Sequence, residues 1–342
     1  MARSRQISCL RAFLMRVLLT HNRDLLKHFY SPKAVDLLHA MVDLRMNDTD
    51  EPLTGTALVT AARGCQVIVS DRLAAGPREV LEQLRDVRAF IRCAVDIRNI
   101  DVDAASDNDI LVCRCSAGYA DAVAEHALAL ILDLARGISA DAARYQAGQA
   151  KHAMTMRRQL AGAHVGVIGY GTIGRRIVDL ALAFAMKVSV YDPYVTVRHG
   201  AVPAVGFHEV LSEPDFVVCA AYATPETAGM MNADAFARMR KTAHFINISR
   251  GVLVDEDALE RALTSGSIAG AGLDVGLGPD EQPSLKLARL PNVVATPHTA
   301  ALMREPSEHQ ALETVDQVRA VLENRLPPHA VNAHRVAAWW RR

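Results

Sequence analysis

Three glycines at the end of a hydrophobic run have the spacing of a phosphate-binding loop. The predicted strand 164–169 leads into Gly169-x-Gly171-x-x-Gly174 and then into a helical pattern. In such a loop the first glycine makes a tight turn, the second lets the backbone approach a pyrophosphate, and the third lets the helix pack against the strand. The free N–H groups at the helix start, around Thr172 and Ile173, would then bind the pyrophosphate of a dinucleotide.

The acid Asp192 indicates which dinucleotide this loop would bind. It follows the predicted strand Lys187–Tyr191 and lies eighteen residues after Gly174. A carboxylate at this position accepts hydrogen bonds from the adenine ribose hydroxyls and repels a ribose phosphate. We therefore expect NAD rather than NADP. The alternative is an acid that only caps the turn into Pro193.

An alternation of strands and helices must position the loop. Short apolar runs predict strands, and intervening periodic segments predict helices, a pattern that implies parallel sheets covered by helices. A helix over 120–138, apolar nearly all round, separates an earlier alternating part of the chain from a later one. The predicted strands are 17–21, 67–71, 87–93, 110–115, 164–169, 187–191, 216–221, 244–249, 270–275 and 293–296. The predicted helices are 77–84, 120–138, 139–149, 173–184, 233–239, 255–265 and 307–323.

The composition is that of a globular protein large enough for two domains. The chain has 342 residues, of which 50% are hydrophobic and 22% charged, and 38 Lys plus Arg balance 38 Asp plus Glu. Zero net charge gives no indication of nucleic acid or of an anionic membrane as a partner. The six cysteines lack metal or redox spacing, which favours reduced thiols in a cytoplasmic protein without a metal site. We expect residues 1–14 to be a loose N-terminal extension.

Several segments, in this order, resemble those of one family, the D-isomer-specific 2-hydroxyacid dehydrogenases, in particular its phosphoglycerate dehydrogenase-like members. The resemblance covers roughly residues 87–333. Besides the glycine loop, its segments are Val123-Ala124-Glu125-His126, Thr224-Pro225-Glu226-Thr227, Ile246-Asn247-Ile248-Ser249-Arg250-Gly251, Gly272-Leu273-Asp274-Val275 and Pro291-Asn292-Val293-Val294-Ala295-Thr296-Pro297-His298.

The resemblance implies an α/β fold of two doubly wound parallel-sheet domains, with a Rossmann cofactor domain inserted into a flavodoxin-like substrate domain. On this basis the cofactor domain covers residues 116–299. The substrate domain is discontinuous and covers 15–115 plus 300–335. The family's helical region, here 120–150, implies a homodimer.

The resemblance also assigns roles to single residues. Arg250 matches the arginine that binds the substrate carboxylate, and a guanidinium can hold a carboxylate through two hydrogen bonds. His298 matches the catalytic histidine, which gives a proton during reduction and takes it back during oxidation. Asp274 matches a residue that contacts the nicotinamide carboxamide. Ala221 and Ser249 complete the expected cofactor-binding residues.

One residue departs from the family pattern. The family's acid that pairs with the catalytic histidine falls, by position, on Pro279. Asp280 follows directly, and a shift of one residue in the loop would bring its carboxylate to His298, where it would fix the tautomer of the imidazole. Glu281 and the absence of any acidic partner are the alternatives. Asp280 is the residue that we expect to orient His298.

The activity implied is the NAD-dependent interconversion of a 2-keto acid and a D-2-hydroxy acid. The substrate loop of the first domain, which starts near Arg92 and Cys93, is usually rich in glycine in the family but not here. Arg92 or Arg98 could therefore supply a positive charge for a more acidic substrate. The competing hypothesis is an NAD(H)-sensing binding protein of the corepressor type with little turnover.

Overall fold

The computed structural model describes residues 15–116, 118–149, 156–197, 200 and 202–337. The expected N-terminal extension, 1–14, lies outside them. The chain divides into two compact units, one formed by Met1–Gly118 with Met303–Arg342 and the other by Tyr119–Leu302. No helix in the described ranges is both long enough and apolar enough to cross a bilayer.

The first unit is built on a single parallel sheet. Its strands are β1 (Arg16–Leu19), β2 (Asp43–Met46), β3 (Val67–Ser70), β4 (Ala89–Arg92) and β5 (Leu111–Cys113). Its early helices are α1 (Arg23–Phe29), α2 (Pro32–Met41), α3 (Gly55–Ala61), α4 (Arg78–Leu81) and α5 (Val102–Asp107). The strand order, β2-β1-β3-β4-β5, is that of flavodoxin.

The sequence did not predict strand β2. Its residues, Asp-Leu-Arg-Met, are only partly buried, and the strand lies at the edge of the sheet, where it pairs with β1 alone. An edge strand with two charged side chains has neither the apolar run nor the strict alternation by which strands are recognised.

The second unit carries the glycine loop. Its helices are α6 (Ala120–Arg136), α7 (Ile138–Gln146), α8 (Thr172–Ala183), α9 (Phe207–Ser212), α10 (Ala233–Arg238), α11 (Glu256–Thr264) and α12 (Leu285–Ala288). Its strands are β6 (His164–Ile168), β7 (Lys187–Tyr191), β8 (Phe216–Cys219), β9 (His244–Asn247), β10 (Gly270–Leu273) and β11 (Val293–Ala295). The last helix of the chain, α13 (Arg304–Leu322), belongs to the first unit.

The six strands of the second unit are parallel, in the order β11-β10-β9-β8-β6-β7. A parallel bridge between Val190 and Ala204 adds a further position beyond β7. The order is then that of a Rossmann sheet, with its topological switch between β6 and β8. The expected fold class, two doubly wound parallel-sheet domains, is confirmed.

The sheet places the residues of interest along one edge. In a parallel sheet the carboxyl ends of all strands face the same side, and ligands bind there at the switch point. The glycine loop follows β6 at this edge. Arg250, Asp274 and His298 come after the ends of β9, β10 and β11. Helix α6 packs close behind them, since a Cβ added at Gly272 would lie 3.1 Å from Cβ of Leu130.

Candidate active site

Two glycines of the loop are required by the protein's own packing. Gly169 has φ +98, and an added Cβ there would lie 2.7 Å from the backbone of Ala220 and Ala221. At Gly174 an added Cβ would lie 2.0 Å from the carbonyl oxygen of Gly169. Both positions therefore need glycine, the first for its left-handed backbone and the second because α8 begins against the loop.

Gly171 differs from the other two because nothing in the protein fills the space beside it. An added Cβ would meet no atom within 4 Å, and φ is an ordinary −73. Gly171 is the N-cap of α8, and no side chain of the described residues caps this helix. The first N–H groups of a helix have no partner inside it, and the dipole there favours an anion. The open side of Gly171 and these N–H groups fit the pyrophosphate of a dinucleotide.

The carboxylate of Asp192 ties the end of β7 to the glycine loop. Its Oδ2 accepts from the Tyr170 N–H at 2.7 Å, and its Oδ1 accepts from the N–H groups of Tyr194 and Val195 at 2.9 and 3.0 Å. The side chain is half-buried. These bonds hold the acid beside the loop. Each carboxylate oxygen has two lone pairs, so one lone pair of Oδ2 is left for a ribose hydroxyl.

Ala221 and Ser249, both expected at the cofactor, meet in the structure. The Ser249 hydroxyl donates to the Ala221 carbonyl at 2.5 Å. Ser249 N–H in turn donates to the side-chain oxygen of Asn247 at 3.1 Å. The segments after β8 and β9 are thereby locked together next to the glycine loop.

His298 lies in a strained turn just after β11. Its φ is +55, a conformation that residues other than glycine adopt at a cost of about 1–3 kcal/mol. Its N–H donates to the carbonyls of Asp274 and Thr296 at 2.9 and 3.0 Å. Its Nδ1 lies 2.9 Å from the main-chain oxygen of Asp280. Since a carbonyl can only accept, this contact places the proton on Nδ1 and leaves Nε2 for chemistry.

The loop that follows β10 therefore reaches His298 in a way that the sequence did not suggest. Asp280 contacts the imidazole through its carbonyl, and among the described residues its carboxylate forms no hydrogen bond or ion pair. The reason is the backbone: Asp280 has φ +53 and Glu281 φ +58, so the chain turns its carbonyl toward the histidine. Hydrogen bonds from Gly276 N to Glu281 O and from Gly278 N to Gln282 O, both 2.8 Å, close the loop.

Arg250 is paired with the next residue of the same loop. Its Nε lies 3.4 Å from Oε2 of Glu281, and the two side chains are 33% and 38% exposed. Its Nη1 donates to the Ser249 carbonyl at 2.7 Å. Sequence reasoning missed this ion pair. Consecutive loop residues, Asp280 and Glu281, thus contact the histidine and the arginine and bring both groups to one place.

Asp274 supports the turn that carries His298, and its expected contact with the nicotinamide carboxamide stays a prediction. It is 1% exposed. Its Oδ1 accepts from the Thr296 hydroxyl at 2.7 Å and from the Thr299 N–H at 2.9 Å, and its Oδ2 accepts from the Ala300 N–H at 3.0 Å. These donors flank His298 on both sides. The buried carboxylate therefore holds the turn in which His298 lies.

His126 completes this network from α6. Its Nε2 lies 2.9 Å from the Thr296 hydroxyl and 3.5 Å from Oδ1 of Asp274. The sequence segment that contains His126 was singled out, but no role was given to the histidine. The feature of the sequence that could have indicated this role is a histidine among the apolar residues of a largely buried helix.

The two arginines considered for a more acidic substrate have partners within the first unit. Arg92 is 4% exposed, and its guanidinium donates to the carbonyls of Asp71, Arg72 and Asp96. Arg98 binds the carboxylate of Asp96, with Nη2 2.7 Å from Oδ2. Arg92 therefore serves to hold its own loop.

Comparisons with known proteins agree with this geometry. The model of the family "D-isomer specific 2-hydroxyacid dehydrogenase, NAD binding domain" matches residues 128–300. The chain is 35% identical, over 267 residues, to D-3-phosphoglycerate dehydrogenase 2 of Arabidopsis thaliana, an alignment that covers 76% of this chain and 42% of that protein. It spans about half the length of the phosphoglycerate dehydrogenases that it matches.

Solved structures match nearly the whole chain. The TT0316 protein of Thermus thermophilus has a TM-score of 0.82 and 30% identity, with coverage of 93% of this chain and 100% of that one. D-lactate dehydrogenase of Escherichia coli has a TM-score of 0.79 and 25% identity, with coverage of 93% and 100%. The expectation of NAD as the cofactor is confirmed. The chain belongs to the family of D-isomer-specific 2-hydroxyacid dehydrogenases.

Proposed function

We propose that this protein is an NAD-dependent oxidoreductase that interconverts a 2-keto acid and a D-2-hydroxy acid. The observation that carries the proposal is the loop after β10, in which Asp280 contacts His298 and Glu281 contacts Arg250. It brings a proton donor and a cation together at the carboxyl edge of an NAD-binding sheet. Those are the two groups that reduction of a keto acid requires.

Arg250 would bind the carboxylate of the substrate. Its guanidinium is partly exposed, and one of its nitrogens is fixed by the Ser249 carbonyl. In the free protein Glu281 neutralises part of its charge. A substrate carboxylate would replace this weak contact of 3.4 Å by a two-point hydrogen bond, which is shorter and stronger.

His298 would move the proton at the substrate oxygen. Because Nδ1 keeps its proton toward the Asp280 carbonyl, Nε2 is the atom that gives the proton in one direction and takes it in the other. Asp274 and His126 would act through the turn, as positioning residues. Their hydrogen bonds to Thr296, Thr299 and Ala300 keep His298 in its left-handed conformation.

NAD, when bound, supplies or accepts the hydride of this reaction. The open side of Gly171 and the N–H groups of Thr172, Ile173 and Gly174 would hold its pyrophosphate. Asp192 would accept from a ribose hydroxyl through Oδ2. Gly169, Ala221 and Ser249 would form the adjacent wall.

A screen of NADH oxidation across 2-keto acids tests the proposal. We expect at least one substrate to be turned over and kcat to fall by about 10²–10⁴-fold in His298→Ala, the usual contribution of a general acid. NADH affinity should be unchanged in this variant. His208→Ala is the matched control, because His208 is an exposed histidine on α9 to which no role is assigned.

The same screen distinguishes the competing hypothesis. If NADH binds tightly and no 2-keto acid is turned over, the protein is an NAD(H)-binding sensor and the catalytic proposal is wrong. A His298→Ala variant as active as the wild type would contradict the role of the histidine.

We further propose that the protein forms a homodimer through the helical region 120–150. None of the residues of α7 is buried, and Ile138 and Tyr145 are 57% and 73% exposed. Exposed large apolar side chains on one short helix favour contact with a second copy. Light scattering of the wild type and of Ile138→Asp with Tyr145→Asp would test this, since a dimer in both would contradict it.

A further inference from the structure

Two cysteines of the first unit lie side by side, although they are twenty-two residues apart in the chain. Cys93 follows β4 and Cys115 follows β5, and these strands are neighbours in the sheet. The Cys115 N–H donates to the Ala94 carbonyl at 2.9 Å, and its thiol donates to the Arg92 carbonyl at 3.4 Å. Cys115 therefore contacts the residues on both sides of Cys93. Neighbouring strands lie about 4.8 Å apart, within the range of Cα separations that a disulfide bridges.

Cys93 is also next to a buried histidine. His21, which follows β1, is 2% exposed, and its Nδ1 has no nitrogen or oxygen partner among the described residues. The neighbouring Cys115 thiol lowers the pKa of the Cys93 thiol, burial opposes this shift, and His21 and Arg92 lower the pKa further. The pKa of Cys115 is raised, first by its hydrogen bond with Cys93 and then by burial. The two directions favour the thiolate at Cys93 and the thiol at Cys115.

We propose that Cys93 and Cys115 form a redox site, in which a peroxide oxidises Cys93 and Cys115 closes a reversible intrachain disulfide. The site is assembled from three segments that follow β1, β4 and β5. It contains none of the residues to which a part in the proposed hydride and proton transfer is assigned. It is thus a second chemical function of the chain.

The chemistry needs only the peroxide as oxidant. The Cys93 thiolate attacks one peroxide oxygen, so that an S–O bond forms and the O–O bond breaks. The leaving hydroxide takes up the proton that the Cys93 thiol has released, which gives water. The Cys115 sulfur then attacks the Cys93 sulfur. The S–S bond forms, the S–O bond breaks, and the leaving hydroxyl takes the proton of Cys115 as water. Two thiols lose two electrons, and hydrogen peroxide is reduced to two waters.

The described cysteines outside the pair provide the contrast, because burial raises the pKa of all three of them, Cys65, Cys113 and Cys219. Burial raises the pKa of Cys113 and of Cys219 to about 12, and neither has a histidine or a second thiol as a cause of its shift. Reactivity toward peroxide follows the thiolate fraction and access. Of the five described cysteines, Cys93 alone is partly exposed.

The disulfide would also affect the segment 93–99, which follows Cys93 and resembles the family's substrate loop. Arg92 holds this segment through the Asp96 carbonyl at 3.2 Å. Tying Cys93 to β5 would limit the movement of the segment, so we expect a higher KM in the oxidised protein. This consequence rests on the proposed function, whereas the disulfide itself does not.

Thiol counting and peptide mapping test the site without any activity assay. The full chain is treated with a small excess of hydrogen peroxide, quenched in acid, denatured and titrated with a thiol reagent. We expect the wild type to lose two thiols, to recover them with dithiothreitol, and to yield a disulfide-linked peptide pair containing Cys93 and Cys115. Mapping on the wild type needs no variant to fold.

Variants identify the roles of the two sulfurs. Cys93→Ser should lose no thiols, whereas Cys115→Ser should accumulate a sulfenic acid that dimedone labels at Cys93. Cys113→Ser is the matched control, and it should lose two thiols as the wild type does. A wild type that keeps all its thiols, or that is oxidised at Cys93 only to sulfinic acid without a linked pair, overturns the proposal. If thiols are lost as expected but no 2-keto acid is turned over, the redox site stands and the proposed activity fails.

Discussion

Gly171 and Gly174 offer a sharp test of how the loop before α8 works, because the same substitution should have opposite effects at the two positions. Gly171→Ala places a methyl group where the protein has no atom within 4 Å. Gly174→Ala places one 2.0 Å from the main-chain oxygen of Gly169. If a pyrophosphate approaches Gly171, the first variant should fold normally and bind NADH poorly, and the second should fold poorly.

The magnitudes follow from these contacts. At Gly171 the backbone is extended and accepts alanine, so stability should change by no more than about 1 kcal/mol. Losing the close approach of a charged oxygen to a backbone N–H costs about 1.5–3 kcal/mol, which is roughly a 10–150-fold rise in the Kd of NADH. At Gly174 the new contact is about 1 Å too short, and overpacking of this kind costs about 1–3 kcal/mol. For a unit of this size that lowers Tm by about 2–12 °C.

Titration of NADH fluorescence gives Kd, and differential scanning calorimetry gives Tm. Gly200→Ala is a matched control, because an added Cβ there also meets no atom within 4 Å while the residue lies outside the loop. A Gly171→Ala variant that binds NADH as tightly as Gly200→Ala would refute the reasoning, since the free space would then not be the place of the cofactor.

Three other predictions concern the charged and buried groups of the second unit. Glu281→Gln should lower the KM for the 2-keto acid about 2–5-fold, because it removes a carboxylate that competes with the substrate for Arg250. The partly exposed ion pair between Glu281 and Arg250 is worth at most about 1 kcal/mol. Steady-state kinetics measure the KM, and an unchanged or higher value contradicts the prediction. Asp274→Asn should destabilise the unit by about 1–3 kcal/mol and lower kcat, because the buried group loses acceptors for the donors around His298. Urea unfolding measures the loss of stability, with Asp257→Asn, at an exposed position, as the control. Equal stabilities of the two variants would contradict the prediction. Burial lowers the pKa of His244 to about 4, from 6.5 in the unfolded chain. Above pH 6.5 the histidine is neutral in both the folded and the unfolded state. As the pH falls from 6.5 toward 4, the unfolded chain binds a proton that the folded protein excludes. Stability should therefore decline by roughly 3 kcal/mol over this range, and His244→Phe, which keeps a ring against Phe216, should remove most of this decline in urea unfolding at pH 7 and 4.5.

Most of the second sheet could be predicted from the sequence because its strands are short, buried and apolar. Runs such as Phe216–Cys219 and Lys187–Tyr191 are recognisable without any knowledge of their neighbours. The edge strand β2 was not, because its pairing with β1 is set by the sheet and not by its own residues. The two cysteines illustrate the same limit, since the neighbouring positions of β4 and β5 exist only once the sheet has formed.

The glycine loop could be recognised in the sequence because each of its structural requirements involves only nearby residues. A turn with φ +98 at Gly169, a close helix start at Gly174 and an acid after the next strand are properties of consecutive residues and fixed spacings. That local pattern, with the segments around Arg250 and His298, determined the fold class, the cofactor and the chemistry to be expected.

Only the tertiary structure determined which groups contact the histidine and the arginine. Which atom of Asp280 faces His298 depends on two left-handed residues in a loop closed by Gly276 and Gly278. The sequence shows an acid near the right position, but the left-handed backbone torsions of the loop determine where its side chain and carbonyl point. For the same reason Glu281 pairs with Arg250, and Asp274 lies buried beneath the turn that holds His298.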